Sequence, residues 1–245
     1  MIDHPISSVH FLFNQAEING DKSAFSYKDN QIWNDISWNT YRGDVHKAAG
    51  SLISIGCNSG DKVCILGFNN YNWVTMDMAA MMTGAIPAGI YETCSAEEIS
   101  YILNHSEAKV LLIEDTEQWQ KINEIRNDLK FLEKVILMEG CDEITDDLVI
   151  DWKSFMNLSN EDNRKAAFVS MGKLQKDDVA TFIYTSGTTG PPKAVMLSNE
   201  NMTWTAKQAI DLISLSPDDT SLSYLPLSHI AEQMFTLHAP AISGW

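Results

Sequence analysis

The chain has 245 residues, of which 44% are hydrophobic, so it is long and apolar enough to bury a sizeable core. Its 33 acidic residues outnumber its 17 basic residues and give a formal net charge of −16. This charge repels nucleic-acid phosphates at long range and argues against a nucleic-acid partner. A nucleotide site is still allowed, because such a site needs only backbone N–H groups and one or two lysines.

Cysteine usage and the N-terminus give expectations about the compartment. The four cysteines are far apart and match neither a zinc site nor a disulfide framework; they are Cys57, Cys64, Cys94 and Cys141. We expect reduced, buried thiols in a cytoplasmic protein. The first residues lack a basic segment followed by an apolar run, so no secretory signal is predicted.

The first predicted helix ends near residue 55. Its apolar residues recur every three or four positions, and Gly56 follows as a residue suited to the helix end; these residues are Tyr41, Val45, Ala48, Leu52 and Ile55.

Residues 73–90 come nearest to a membrane span, but Asp77, Gly84 and Pro87 disfavour a lipid-facing helix. We predict a buried helix followed by a strand there. Peripheral contact with intracellular membranes stays open.

Four apolar runs rich in β-branched residues predict strands, at residues 63–66, 110–113, 135–137 and 179–184. Between them, a helix is predicted from Ala96, with Ser95 as N-cap and Glu98 completing a capping box. The strands are continuously apolar, which indicates that helices cover both faces. The predicted fold class is therefore α/β, with layered, mostly parallel sheets flanked by helices.

Residues 139–162 are crowded with acids and weakly periodic, which predicts solvated surface. From this change in texture we expect a first α/β subdomain over residues 1–170 and the start of a second over residues 171–245. The sequence stops inside an apolar stretch, from which an incomplete domain is expected.

A phosphate-binding loop is predicted directly after the run at residues 179–184. It combines glycines, hydroxyls and a lysine, and consists of Thr185, Ser186, Gly187, Thr188, Thr189, Gly190, Pro191, Pro192 and Lys193. Glycines allow unusual backbone dihedrals and close approach of N–H groups to an anion, and Lys193 adds a mobile positive charge. The loop is not a Walker A sequence, because Pro192 precedes the lysine and Ala194 follows it.

The loop, with Tyr184 before it, resembles the signature of the adenylate-forming superfamily. The resemblance continues at residues 195–198 and 201–204, and at residues 223–233 it is closest to the long-chain acyl-CoA synthetases of the bubblegum-like subgroup. Residues 65–70, 85–93 and 105–109 also resemble that branch. Two positions depart from the pattern: Ala194 stands where glycine is usual and Asn199 where histidine is common. We expect Asn199 to cap the following helix.

The resemblance implies ATP-dependent activation of a long-chain fatty acid to acyl-CoA through an acyl-adenylate, with ATP, Mg²⁺ and coenzyme A. The fatty acid, ATP and coenzyme A are the expected partners. The loop would bind phosphate, and His229 would line the substrate pocket near the carboxylate as a positioning residue. His238 lies nine residues further on, without ligands at zinc spacing, so no metal site is predicted.

The family's ribose-binding aspartate, hinge and adenylation lysine have no match in these residues, so no catalytic residue is assigned and little activity is expected of the chain by itself. Two alternatives stay open: a non-catalytic nucleotide-binding fragment, or an adenylation enzyme for another carboxylate.

Overall fold

The computed structural model describes residues 1–29, 31–185 and 190–245. Its main helices are α1 (Ser8–Asn19), α2 (Trp38–Ser54), α3 (Tyr71–Thr83), α4 (Ala96–Ser106), α5 (Thr116–Ile125), α6 (Trp152–Asn157), α7 (Glu161–Met171), α8 (Asn199–Ile213), α9 (Ile230–Gln233) and α10 (Ala239–Ser243). Its strands are β1 (Ser23–Asp29), β2 (Ile32–Ser37), β3 (Lys62–Leu66), β4 (Ile86–Ile90), β5 (Ala108–Ile113), β6 (Lys134–Leu137), β7 (Val149–Asp151), β8 (Val179–Thr185) and β9 (Lys193–Ser198).

Within the described residues, β3 to β9 form one seven-stranded sheet in the order β7-β6-β5-β3-β4-β8-β9. The pairs from β7 to β8 are parallel, and β9 runs antiparallel beside β8 at one edge. β1 and β2 form a separate hairpin. The α/β fold class with a mostly parallel sheet is confirmed.

Helices cover both faces of this sheet, as the continuous hydrophobicity of the strands predicts. Val63 and Ile65 of β3 face a core that includes α2 and α3, whereas Cys64 and Leu66 face a second core that includes α4 and α5. Successive side chains of a strand point to opposite faces, so both sets of positions must be apolar.

The predicted helix ends are confirmed in detail. α2 ends at Ser54, and Gly56 has a φ of +85°, a conformation that favours glycine. Ser95 and Glu98 form a capping box at the start of α4. Residues 73–90 contain the buried α3 and then β4, as predicted.

Asn199 does not cap the helix that follows it, contrary to expectation. Ser198 is the N-cap of α8, and Asn201 completes a capping box with it. Asn199 is instead buried in the first turn, where its Nδ2 donates to the Gln175 carbonyl over 2.9 Å. Serine and asparagine are both good N-caps, so the local sequence does not show that Ser198 rather than Asn199 takes this position.

The acidic stretch at residues 139–162 is mostly exposed, but it also holds β7 and α6, which bury Trp152 and Phe155. A subdomain division near residue 170 remains a prediction; β8 and β9 lie in the same sheet as the earlier strands.

Cys57 and Cys64 are buried free thiols, whereas Cys94 and Cys141 are only partly buried.

Over the described ranges, the protein contains no helix that is both long and apolar enough to cross a bilayer.

Candidate active site

The carboxyl ends of three neighbouring strands meet at one edge of the sheet. Leu66 at the end of β3 pairs with Ile90 at the end of β4, and Gly89 pairs with Ile183 of β8. Because the three strands are parallel, the segments that follow them emerge together. In open α/β sheets this is the edge where ligands bind.

The predicted phosphate loop joins β8 to β9 at this edge. Thr185, the last residue of β8, pairs with Lys193, the first residue of β9, so the loop is closed by an antiparallel backbone pair. Four of the predicted loop residues lie outside the described residues: Ser186, Gly187, Thr188 and Thr189.

The described part of the loop is largely exposed. Gly190, Pro191 and Lys193 are exposed and Pro192 is half-buried. A Cβ built on Gly190 would meet nothing within 4 Å. The prediction that glycine serves the close approach of a phosphate to the backbone stays a prediction.

The strand that carries the loop is anchored by Tyr184. Its hydroxyl lies 2.9 Å from Nδ1 of His105 on α4, and His105 stacks on Tyr101 with ring centroids 5.3 Å apart. Burial raises the pKa of Tyr184, so the hydroxyl keeps its proton. The base of the loop is therefore fixed against the helix layer.

A second segment, residues 220–229, reaches the same edge without a helix or strand of its own. Asn69, in the turn after β3, binds it three times. Its Nδ2 donates to the Leu225 carbonyl at 2.7 Å and to Ser223 Oγ at 2.8 Å, and its Oδ1 accepts from the Leu227 N–H at 2.8 Å. These bonds join parts of the chain more than 150 residues apart.

Side chains of α9 complete the hold on this segment. The buried carboxylate of Glu232 accepts from the Leu225 N–H over 3.1 Å and from Thr236 Oγ1 over 2.7 Å. Gln233 Nε2 donates to the Leu227 carbonyl over 2.8 Å. The backbone N–H and carbonyl groups of Leu225 and Leu227 are thus all bound by side chains.

The segment also packs directly on β4. A Cβ on Gly89 would lie 2.7 Å from Ser228 Cα and 3.2 Å from Trp73 Cζ2, so only glycine leaves room for the backbone of Ser228. Since β4 pairs with β8, the residues next to His229 lie beside the strand that carries the predicted phosphate loop.

His229 is exposed and is held by its own helix. It is the N-cap of α9, and its Nδ1 accepts from the Ala231 N–H over 3.1 Å. With Nδ1 acting as acceptor, the neutral ring carries its proton on Nε2. His229 therefore offers one N–H donor that its own helix does not use.

The structure places the described loop residues and the His229 segment at the same edge of the sheet. Sequence reasoning did not identify Asn69, Glu232 or Gln233 as members of this site. All three lie within the stretches that resemble acyl-CoA synthetases, but an asparagine after a strand is equally suited to capping a helix. Only the tertiary structure shows that it binds residues 223–227.

One cavity among the described residues lies elsewhere. It has a volume of about 200 Å³ and is lined by Gly60, Gly84 and Val179, which belong to the amino ends of the strands. It therefore lies at the opposite edge from the loop.

The described residues also bring together no group of three or more histidines, cysteines or acids able to hold a metal.

A sequence model described as AMP-binding enzyme matches residues 12–245. The chain is 36% identical to long-chain-fatty-acid–CoA ligase ACSBG2 of Xenopus laevis, with 95% of the chain and 32% of that protein covered. It is 34% identical to human ACSBG1, with 94% and 32% covered. The chain thus spans about a third of the length of the curated relatives it matches.

Solved structures agree on the fold. A long-chain-fatty-acid–CoA ligase, FadD1, from Archaeoglobus fulgidus superposes with a TM-score of 0.81 at 22% identity, covering 99% of this chain and 46% of that one. The anthranilate CoA ligase AuaEII, in complex with anthranoyl-AMP, superposes with a TM-score of 0.77 at 21% identity, covering 89% and 40%.

Proposed function

Because the chain belongs to the AMP-binding enzyme family, we propose that it forms the phosphate-binding and carboxylate-binding side of an ATP-dependent long-chain fatty acid–CoA ligase. The observation that carries the proposal is the hairpin loop closed by Thr185 and Lys193 at the carboxyl edge of the sheet, beside the segment that presents His229. The ligases named above, at 34–36% identity, support the fatty acid as substrate.

The proposed chemistry makes a carboxylate reactive by giving it a leaving group. A carboxylate oxygen attacks the α-phosphorus of ATP, the bond to the bridging oxygen breaks, and pyrophosphate leaves. The resulting acyl-adenylate is then attacked at its carbonyl carbon by the thiol of coenzyme A, which loses its proton as AMP departs. The overall products are acyl-CoA, AMP and pyrophosphate.

The loop at residues 185–193 would bind the β- and γ-phosphates. Backbone N–H groups and hydroxyls donate hydrogen bonds where negative charge accumulates on the departing pyrophosphate, and donors placed in advance are effective there. Lys193 is exposed at the base of the loop and acts as a cation rather than a nucleophile. Mg²⁺, when bound together with ATP, would neutralise part of the phosphate charge.

His229 would orient the fatty acid. Its Nε2–H is the donor that the helix leaves free, and a carboxylate oxygen is its natural acceptor. Because Nδ1 already accepts from Ala231, the ring is fixed in one tautomer. This arrangement favours positioning over proton transfer.

We also propose that the protein works in the cytoplasm with peripheral contact to intracellular membranes, where long-chain fatty acids partition. Co-sedimentation with phosphatidylcholine vesicles, with and without palmitate, tests the membrane contact. A chain that stays in the supernatant under both conditions would argue against it.

The central test is calorimetric titration of the folded chain with Mg-ATP and with AMP. We expect Mg-dependent ATP binding that falls about 10- to 100-fold in Lys193→Ala, as for the loss of a charge-assisted hydrogen bond. AMP lacks the β- and γ-phosphates, so its affinity should not change. Lys173→Ala removes another exposed lysine and is the matched control.

Three results would contradict the proposal: no ATP binding by folded chain, equal losses for ATP and AMP, or equal losses in the two lysine variants. The alternative carboxylates are tested by competition between acyl-sulfamoyl adenosine analogues. Tighter binding of an aromatic analogue than of a sixteen-carbon one would favour another acid as substrate.

A further inference from the structure

The backbone turn that delivers His229 is bound by a side chain from a distant part of the chain. The His229 N–H donates to the Pro226 carbonyl over 2.9 Å, which closes a tight turn over residues 226–229. Leu227, the second residue of this turn, donates its own N–H to Asn69 Oδ1 over 2.8 Å. The position of His229 therefore depends on where the Asn69 carboxamide holds Leu227.

Asn69 differs from the other groups that hold this segment because it belongs to the sheet layer. Glu232 and Gln233 lie on α9, directly after His229, and move with it. Asn69 follows β3, and the next residue, Asn70, is the N-cap of α3, where it accepts from the Trp73 N–H over 2.9 Å. The carboxamide is thus carried by a turn that strand and helix both fix.

The carboxamide uses both its donor and its acceptor groups on this one segment. Its oxygen binds Leu227, and its nitrogen binds the Leu225 carbonyl and Ser223 Oγ. On the other side, Ser228 rests on Gly89 of β4. The hydrogen bonds fix the orientation of the turn, and the packing of Ser228 on Gly89 limits how closely the turn approaches the sheet. The turn therefore has one well-defined position at the sheet edge.

We propose that Asn69 is the positioning residue for His229: it holds the turn that presents the His229 ring Nε2–H to the substrate carboxyl group. This inference rests on the proposed function for its ligand. A positioning group outside the reacting atoms is needed because a misplaced donor loses much of its effect.

Two substitutions separate the roles of the carboxamide. Asn69→Ala removes all three bonds, whereas Asn69→Asp keeps an acceptor for the Leu227 N–H and loses the donor to the Leu225 carbonyl. Asn34→Ala removes a half-buried amide on the β1–β2 hairpin and is the matched control. Each variant is compared with the unaltered chain.

The first measurement is amide hydrogen exchange resolved at Leu225 and Leu227. In Asn69→Ala we expect exchange at Leu227 to accelerate several-fold to about tenfold, because its acceptor is lost. Exchange at Leu225 should change little, since its N–H binds Glu232. Asn69→Asp should preserve the protection of Leu227. A general loss of stability would accelerate exchange at both amides.

The second measurement is binding of a sixteen-carbon acyl-sulfamoyl adenosine and of Mg-ATP. Asn69→Ala should weaken the acyl analogue about tenfold and leave ATP within about twofold, the range of a neutral surface substitution. Asn69→Asp should restore part of the affinity for the acyl analogue.

Unchanged exchange at Leu227 in Asn69→Ala, or equal losses for the analogue and for ATP, would overturn the proposal. If the unaltered chain bound neither ligand, the proposed function would fail. The hold of Asn69 on the turn would then be decided by the exchange data alone.

Discussion

Nδ1 of His229 accepts a hydrogen bond from the backbone N–H of Ala231 over 3.1 Å. The ring is thereby used twice, as the cap of α9 through Nδ1 and as a free donor through Nε2. A substitution that keeps the cap and removes the donor separates the two uses.

His229→Asn is that substitution, because asparagine is among the best N-caps but does not reach as far as Nε2. We expect it to weaken binding of a sixteen-carbon acyl-sulfamoyl adenosine about tenfold, the loss of one hydrogen bond, with Mg-ATP binding unchanged. Calorimetry measures both. Exchange at Leu227 should stay slow, which distinguishes this variant from Asn69→Ala.

The double variant with Asn69→Ala tests whether the two residues act as one unit. If Asn69 works through His229, the double variant should lose little more affinity than either single variant. Losses that add in full would show that the two residues act independently.

Gly89→Ala tests the close packing of residues 226–229 on β4. The added Cβ would lie 2.7 Å from Ser228 Cα, which is backbone and cannot rotate away. We expect a destabilisation of roughly 1–3 kcal/mol, the usual cost of overpacking a well-filled interior. Urea unfolding measures it.

The control for this substitution is Gly43→Ala, at an exposed position in α2 where a Cβ would meet nothing within 4 Å. Alanine is the better helix former, so this variant should gain about 0.5–1 kcal/mol. A Gly89→Ala variant as stable as the unaltered chain would show that the Ser228 backbone moves away at little cost.

The parts of the fold that local sequence determines were predictable. Gly56 closes α2 and the Ser95–Glu98 box opens α4, because those conformations depend on residues a few positions apart. The strands of the sheet were recognisable for a different reason: burial on both faces makes them continuously apolar.

The part of the candidate site that the sequence predicts is a single short segment. The predicted phosphate loop lies between two adjacent strands, so its residues are contiguous. The hold of Asn69 on residues 223–227 depends on the order of strands in the sheet, which periodicity does not specify. Ser198 rather than Asn199 caps α8, and Asn199 is buried instead. Two adjacent residues that are both good caps do not reveal which of them is buried.

Asp77, in the middle of α3, should make stability fall as the pH rises towards neutrality. It is 1% exposed, and neither carboxyl oxygen has a hydrogen-bond partner among the described residues. Burial raises its pKa from 3.8 to about 7. Between these values the folded chain holds a proton that the unfolded chain has lost, so stability decreases by up to about 1.4 kcal/mol per pH unit.

Asp77→Asn replaces the carboxyl group with a neutral amide of the same shape and should remove this slope. The stability of the variant relative to the unaltered chain should rise from about pH 4 to pH 7 and then level off, as measured by urea unfolding at one-unit intervals. Parallel stability curves for the two proteins would mean that Asp77 is ionised in the folded chain throughout.

His238 should give the opposite pH dependence. It is fully buried, its Nδ1 lies 2.8 Å from Ser8 Oγ, and its Nε2 has no partner in the ranges that the structure covers. Burial lowers its pKa from 6.5 to about 3. Between these values the unfolded chain binds the extra proton, so stability is lost as the pH falls, again by up to about 1.4 kcal/mol per unit.

The two slopes oppose each other between about pH 4 and pH 6.5, so the unaltered chain should show little net dependence from this pair. His238→Asn keeps a polar group for Ser8 and cannot be protonated. The small cavity it leaves has a cost that does not vary with pH. Its stability should therefore fall more steeply than that of the unaltered chain from pH 4 to pH 6.5, because only the Asp77 slope remains. In the double variant with Asp77→Asn, stability should again change little between pH 4 and pH 6.5. A steep slope that remains in the double variant would mean that other groups cause the pH dependence.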